Sequence, residues 1–240
     1  MFDRSLFNPD PVVETISIGG RPLCHVIDNA LLEPERWVDF AATNRHAFRD
    51  SPQNAFPGPE LPLPDAALMQ LDGFFSRHLR QRFEVRRTLR LNARLSIASR
   101  RPEELQPRQW LCHVDRLRSE RGQRALASVL YLFADETLGG TGFYRPRRPL
   151  DEIAQLMDEA AVLPAAEFGA RHGLHPAYMT ASNAWFEKIA VVPPRWNRLI
   201  FYSGTVFHSG DITAPERLCD DPRSGRLTLN GFFTCRRNLA

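Results

Sequence analysis

From about residue 85 onward the chain is written in short extended runs: 89–97 (LRLNARLSI), 109–115 (QWLCHVD), 125–133 (ALASVLYLF), 189–192 (IAVV), 197–202 (NRLIFY) and 226–235 (RLTLNGFFTC). Turns rich in Pro, Gly and Asp separate them. Many such runs in succession leave little choice but a β-sandwich or a barrel. The expected architecture is therefore mainly β, and the helices have to be found elsewhere.

Ahead of these runs, residues 1–84 read as a helical support region. Residues 32–44 (LEPERWVDFAATN) combine an acidic first turn with apolar Trp37, Val38 and Phe40. Residues 64–83 form a second helix, with Asp65 as its cap and Leu68, Leu71, Phe75 and Leu79 as an apolar stripe. That stripe, with His78 beside it, is read as packing against a sheet. The Pro-, Gly- and Asn-dense stretch 48–64 between the helices is a loop. Within the β region, 149–178 contains LDEIAQLMDEAA, a helical insertion of about three turns. A length of 240 residues suits one domain, 1–240, with its β core over 85–240.

Composition excludes more than it assigns. Thirty-one basic against 28 acidic residues give a formal charge of +3, too little to demand a nucleic-acid partner. Lys188 is the single lysine, so the positive charge is carried by arginine, a bias read mainly as codon usage in a GC-rich bacterial genome, with arginine-based recognition of anions as the alternative. Cys24, Cys112, Cys219 and Cys235 are scattered without a C-x-x-C pair, so zinc-site spacing is absent. The opening MFDRSLFNPDPVV lacks the apolar run of a signal peptide, and no stretch reaches the roughly 18 apolar residues of a membrane span. The expectation is a cytoplasmic protein with reduced thiols and no membrane partner.

Two short patterns carry chemistry. His113-Val114-Asp115 lies in one of the extended runs, where residues i and i+2 share a face, so an imidazole and a carboxylate project together with Val114 turned away. His208, in FYSGTVFHSGD, offers a third donor far downstream. Two His and one carboxylate form a facial triad that leaves three positions on iron open. Taken singly, each histidine reads first as an ordinary hydrogen-bonded one. The second pattern is Arg226-Leu227-Thr228 in the last run. There Arg226, Thr228, Asn230, Phe232 and Thr234 alternate with Leu227, Leu229, Gly231 and Phe233, as in a strand lining a polar cavity. A guanidinium fork with a hydroxyl two residues on suits the far carboxylate of 2-oxoglutarate. The alternative is a surface arginine on an edge strand.

The order H-x-D, distal His, R-x-[ST] resembles the Fe(II)/2-oxoglutarate-dependent dioxygenase superfamily. The stretch SVLYLFADETLGGTGFY, with Tyr131, Gly139, Gly140, Thr141 and Phe143, resembles its prolyl-4-hydroxylase-like branch, as does AVVPPRWNRLIFYSGTVFHSG. The resemblance covers about residues 90–235. It implies a double-stranded β-helix, the jelly roll or cupin-like barrel, with Fe(II) held by His113, Asp115 and His208. It implies 2-oxoglutarate and dioxygen as co-substrates, with Arg226 on the distal carboxylate. Thr228 and Tyr131 are further co-substrate candidates, Tyr131 being equally readable as a core tyrosine. The implied reaction is hydroxylation of a C–H bond in an amino-acid, peptide or natural-product substrate. Asp115 favours that outcome over halogenation, which needs the carboxylate's place on iron.

The chain departs from the pattern in three places. Arginine stands where prolyl hydroxylases commonly use lysine. The excess length between His208 and Arg226 lies in 213–225, and the insertion 149–178 is unusual. Competing readings are a catalytically degenerate oxygenase fold or a cupin-like metal-binding module serving as a partner protein. The arginine run over 77–101 raises nucleic-acid demethylation, but such runs are usually solvated faces. Arg145, Arg147 and Arg148 are expected near the site mouth. Asn92 and Arg94 share a strand face that points either into the cavity or to a structural role. Substrate identity and oligomeric state are not written in these motifs.

Overall fold

The structure, a computed structural model, describes residues 4–51, 55–115 and 121–238. Its strands are β1 (Glu14–Ile18), β2 (Arg21–Ile27), β3 (Glu60–Pro62), β4 (Val85–Ala98), β5 (Gln123–Tyr131), β6 (Gly140–Pro146), β7 (Phe186–Val192), β8 (Arg198–Ser203), β9 (Phe207–Asp211) and β10 (Arg226–Arg237). Its α-helices are α1 (Glu35–Thr43), α2 (Asp65–His78), α3 (Leu150–Val162) and α4 (Ala165–His172). One antiparallel sheet runs β1-β2-β8-β5-β10-β4-β3 and a smaller one β7-β6-β9. Together they form a jelly-roll sandwich, mainly β with flanking α. The two sheets stay open to one another and do not close into a barrel.

Alternation along the strands divides the interior in two. Leu199 and Phe201 of β8 and Leu227, Leu229 and Phe233 of β10 face one core with Trp37, Leu71, Phe75 and Leu79 of the helical layer. Phe75 is fully buried, with its ring 4.7 Å from Phe233 and 5.7 Å from Phe201. Burying one such side chain contributes about 1.5–3 kcal/mol. Ile200 and Tyr202, one residue out of step on β8, face the second core with Phe143, Phe186, Phe207, Leu156 and Phe168. The site lies on this second face, where the larger sheet meets the smaller one.

Several expectations are corrected. The N-terminal region is not purely helical: β1 and β2 form a hairpin on the free edge of the large sheet, across Gly19 and Gly20 at φ 57° and 76°. Positive φ at both turn residues is what the type I′ form of a two-residue hairpin requires. Pro64, not Asp65, caps α2, and no side chain bonds the cap. Loop 48–64 ends in the edge strand β3. Residues 109–115 are not a strand but a 3-10 turn (Pro107–Gln109) followed by an extended piece with a single bridge, His113 to His208. Strands β6 and β9, one glycine-rich and one short, were not anticipated. The insertion holds two helices, α3 and α4. Arg145 pairs with Glu187 at 2.7 Å, Arg147 donates to the Asn183 carbonyl and Arg148 covers Trp185, so these three arginines do not line the site mouth.

Candidate active site

A cavity of about 470 Å³ opens between the sheets, and β10 supplies its floor. Arg226, Thr228, Asn230 and Phe232 line it, as the alternation of that strand requires. β10 holds this face in register by pairing on both sides, Thr228 opposite Tyr131 of β5 and Ser96 of β4.

His113, Asp115 and His208 converge on one wall, each offering a donor atom within 4.8 Å of the others. His113 and His208 exchange backbone bonds of 2.9 Å, and the Asp115 amide donates to the Gly204 carbonyl at 2.9 Å. The segment bearing H-x-D is thus clipped to β9 and to the turn before it, which aims both side chains inward without a regular strand. Val114 packs partly against the second core and also borders the cavity, so it is less turned away than expected. Asp115 Oδ1 lies 3.9 Å from His113 Nε2 and 3.7 Å from His208 Nε2. Asp115 Oδ2 is buried with no hydrogen-bond partner.

Protonation states follow from the surroundings. Burial is the largest cause pushing both imidazoles down to about 4; the neighbouring His208 lowers His113 further, while Asp115 opposes. The His113 side chain keeps 46% of its surface open, but that surface faces the cavity, deep among protein atoms. Val206 accepts a 2.9 Å bond from His208 Nδ1, which fixes the tautomer and leaves the Nε2 lone pair facing Asp115. Burial raises the Asp115 carboxyl above its ordinary value, and the charges of His113 and Arg94 pull it back. Tyr202 lines the same wall, its ring tilted edge-on to His208 with the centroids 4.7 Å apart.

Arg226 sits at the inner end, 4% exposed. Its Nε donates to the carbonyls of Leu138 (3.0 Å) and Gly139 (3.1 Å), and its Nη2 to that of Gly140 (2.9 Å). Among the described residues no carboxylate lies within 4.0 Å of it; it is a buried cation solvated by peptide dipoles but not neutralised. Thr228 is 1% exposed beside it. Tyr131 does not border the cavity. Its hydroxyl shares a 2.7 Å bond with Thr141, and Thr141 is the residue the cavity meets.

The model of a family of unknown function, DUF6445, matches residues 9–233. The chain belongs to the DUF6445 family. No curated protein matches it. Among solved structures, this DUF6445 chain is similar to a prolyl hydroxylase from Trichoplax adhaerens in complex with a hypoxia-inducible-factor oxygen-degradation-domain peptide (10% identity, 88% of this chain and 82% of that one, TM-score 0.48). It is also similar to HygX from Streptomyces hygroscopicus with nickel and 2-oxoglutarate bound (12% identity, 90% and 83%, TM-score 0.49). A third is an N-substituted L-amino acid dioxygenase from Burkholderia ambifaria (13% identity, 95% and 98%, TM-score 0.42).

In this DUF6445 member the donor set fits a divalent first-row cation on its own chemistry. Two imidazoles held neutral present lone pairs, and a buried carboxylate oxygen lacks any other partner. The cavity also holds residues not singled out from sequence: Tyr202, Tyr178, Glu60, Arg108 and Gln109. Glu60 was hidden in a proline-rich loop. The 213–225 loop, expected to shape the pocket, contributes no lining residue among those described.

Proposed function

We propose that the chain is an Fe(II)- and 2-oxoglutarate-dependent oxygenase of the prolyl-4-hydroxylase-like branch that hydroxylates an amino-acid, peptide or natural-product substrate. The observation that carries this reading is the pairing, in one cavity, of the His113–Asp115–His208 donor set with a buried arginine that has no carboxylate partner among the described residues. A metal chelated by three protein donors keeps open positions, and Arg226 is a ready seat for an anion. When bound, iron and 2-oxoglutarate supply oxidative decarboxylation coupled to oxygen insertion, yielding succinate and carbon dioxide.

Each residue then has a part. His113, Asp115 and His208 hold the metal, and the Val206 carbonyl orients His208. Arg226 takes the distal carboxylate of 2-oxoglutarate, with Thr228 beside it. Tyr131 acts through Thr141, by fixing that hydroxyl in the wall. Apolar cavity residues such as Ala127, Val129 and Ile212 exclude water from the reacting end.

The test is anaerobic addition of Fe(II) and 2-oxoglutarate to metal-free protein, followed by visible absorption. A weak metal-to-ligand charge-transfer band that disappears in His208→Ala is the expected result. Iron binding without the band reduces the chain to a metal-binding module.

A further inference from the structure

We propose that the outer end of the cavity is a second anion seat, in which the two terminal amino groups of Arg94 bind a carboxylate of the substrate. The substrate is accordingly an organic acid and not a neutral molecule. The assignment of this acid as a substrate rests on the oxygenase reading; the seat itself does not.

Arg94 lies on β4 opposite Asn230, and both border the cavity. Its Nε is 2.8 Å from Glu60 Oε1, and its guanidinium carbon stands 4.6 Å from the centroid of the Phe232 ring. Glu60 is 5% exposed and accepts a 3.1 Å bond from the Ser96 hydroxyl, which in turn accepts from Asn230 Nδ2 at 2.9 Å. Glu60 thus holds the Nε edge of the arginine by charge, and the guanidinium sits over the phenyl ring. The fork at the far edge, Nη1 and Nη2, meets no hydrogen-bond acceptor among the described residues. A flat fork pointed into a cavity is the geometry that receives a carboxylate through two parallel bonds.

Lys188 shows what a purely structural cation in this fold looks like. Its ammonium is taken up by Asp211 at 2.7 Å and by the Thr180 carbonyl at 2.8 Å. Arg94, at 32% side-chain exposure, has no such closure.

Position and charge agree. Arg226 and Phe232 are six residues apart on one strand, about 20 Å at the rise of an extended chain. The two arginines thus serve opposite ends of the cavity, and the 470 Å³ between them has room for more than a five-carbon diacid. Among the described lining residues, Arg94 and Arg226 each present a guanidinium to the cavity, and that sign attracts an anion.

The probe is benzoate, with benzamide as its neutral twin, titrated by calorimetry into protein incubated with Zn(II) and saturating 2-oxoglutarate. Benzoate is expected to bind at least tenfold more tightly than benzamide. Arg94→Lys keeps a cation for the buried Glu60 but loses the flat fork. It should weaken benzoate at least tenfold with 2-oxoglutarate binding and melting temperature unchanged. Arg226→Ala should weaken 2-oxoglutarate at least tenfold and leave benzoate affinity in place. Equal binding of the two probes, no benzoate binding up to its solubility limit, or full benzoate affinity in Arg94→Lys would overturn the seat. Benzoate bound through Arg94 in a protein that shows no charge-transfer band leaves the seat standing and removes the oxygenase reading. A band without benzoate binding removes the seat alone.

Discussion

His113 and His208 exchange both of their backbone hydrogen bonds at 2.9 Å, and their imidazole rings stand 4.4 Å apart on the same side of that bridge. Directly opposed residues of an antiparallel pair project together. The main chain thus sets the donor pair before any metal arrives. Alanine at either position keeps the bridge, since only the side chain is removed. His113→Ala and His208→Ala should therefore lose metal affinity by more than the roughly 10–100-fold that loss of an outer partner costs. Metal-free melting temperatures should stay near that of the parent protein. Calorimetric titration with Zn(II) alongside thermal unfolding separates the two effects.

Arg226 ties the Leu138, Gly139 and Gly140 carbonyls to the cavity floor, so its removal has a structural cost as well as a binding one. Arg226→Ala should lose roughly 1–3 kcal/mol as buried carbonyls go unpaired. It should also raise the 2-oxoglutarate concentration needed for the charge-transfer band at least tenfold. Urea unfolding and the spectroscopic titration read these separately. Unchanged co-substrate affinity would remove Arg226 from the site.

Gly140 lies where a Cβ would stand 1.9 Å from the Val192 carbonyl oxygen, and Gly139, at φ 83°, where one would meet the Asp211 oxygen at 2.0 Å. Neither clash can be relieved by rotating a side chain, because both partners are backbone. Gly140→Ala should lose roughly 1–3 kcal/mol from overpacking. Its 2-oxoglutarate affinity should fall too, since the Gly140 carbonyl that holds Arg226 moves with it. Thermal unfolding and co-substrate titration of the same variant check both.

Asp28 accepts from Arg195 at 2.6 Å and from Arg198 at 2.6 and 2.9 Å. The Arg198 hydrogen bond is the largest cause holding its carboxyl below the ordinary 3.8. A folded value below the unfolded one means stability that is fully present above 3.8 and lost as pH falls through the folded value. The group is a third exposed, so the contribution is at most about 1 kcal/mol. Asp28→Asn should lose that amount at neutral pH and match the parent in strong acid. Urea midpoints of both proteins at the two pH values test it.

Legibility tracked how much of the outcome was local. The two faces of β10 were readable because strand alternation has a period of two and one face is strictly apolar. The H-x-D and distal histidine are readable as residue types, but their geometry comes from a clipped, irregular segment and not from a strand. β6 escaped because GTGFY opens with glycines, which strands ordinarily avoid. Those glycines are there for close backbone approaches that only the fold reveals. The β1–β2 hairpin is marked by ETISI-GG-RPLCHV, two glycines between two extended runs. Tyr131 against Thr141, and Glu60 beneath Arg94, depend on pairings between distant segments, which no short window contains.

The place of β10 has a kinetic side. It enters between β4 and β5, both made long before it, and until it arrives each of those strands carries a bare edge in the middle of the future sheet. The cavity floor and Arg226 come with the same strand. Completing this sheet thus requires a long-range insertion, the kind of pairing that slows folding and leaves unmated edges open to association with other chains until it is made.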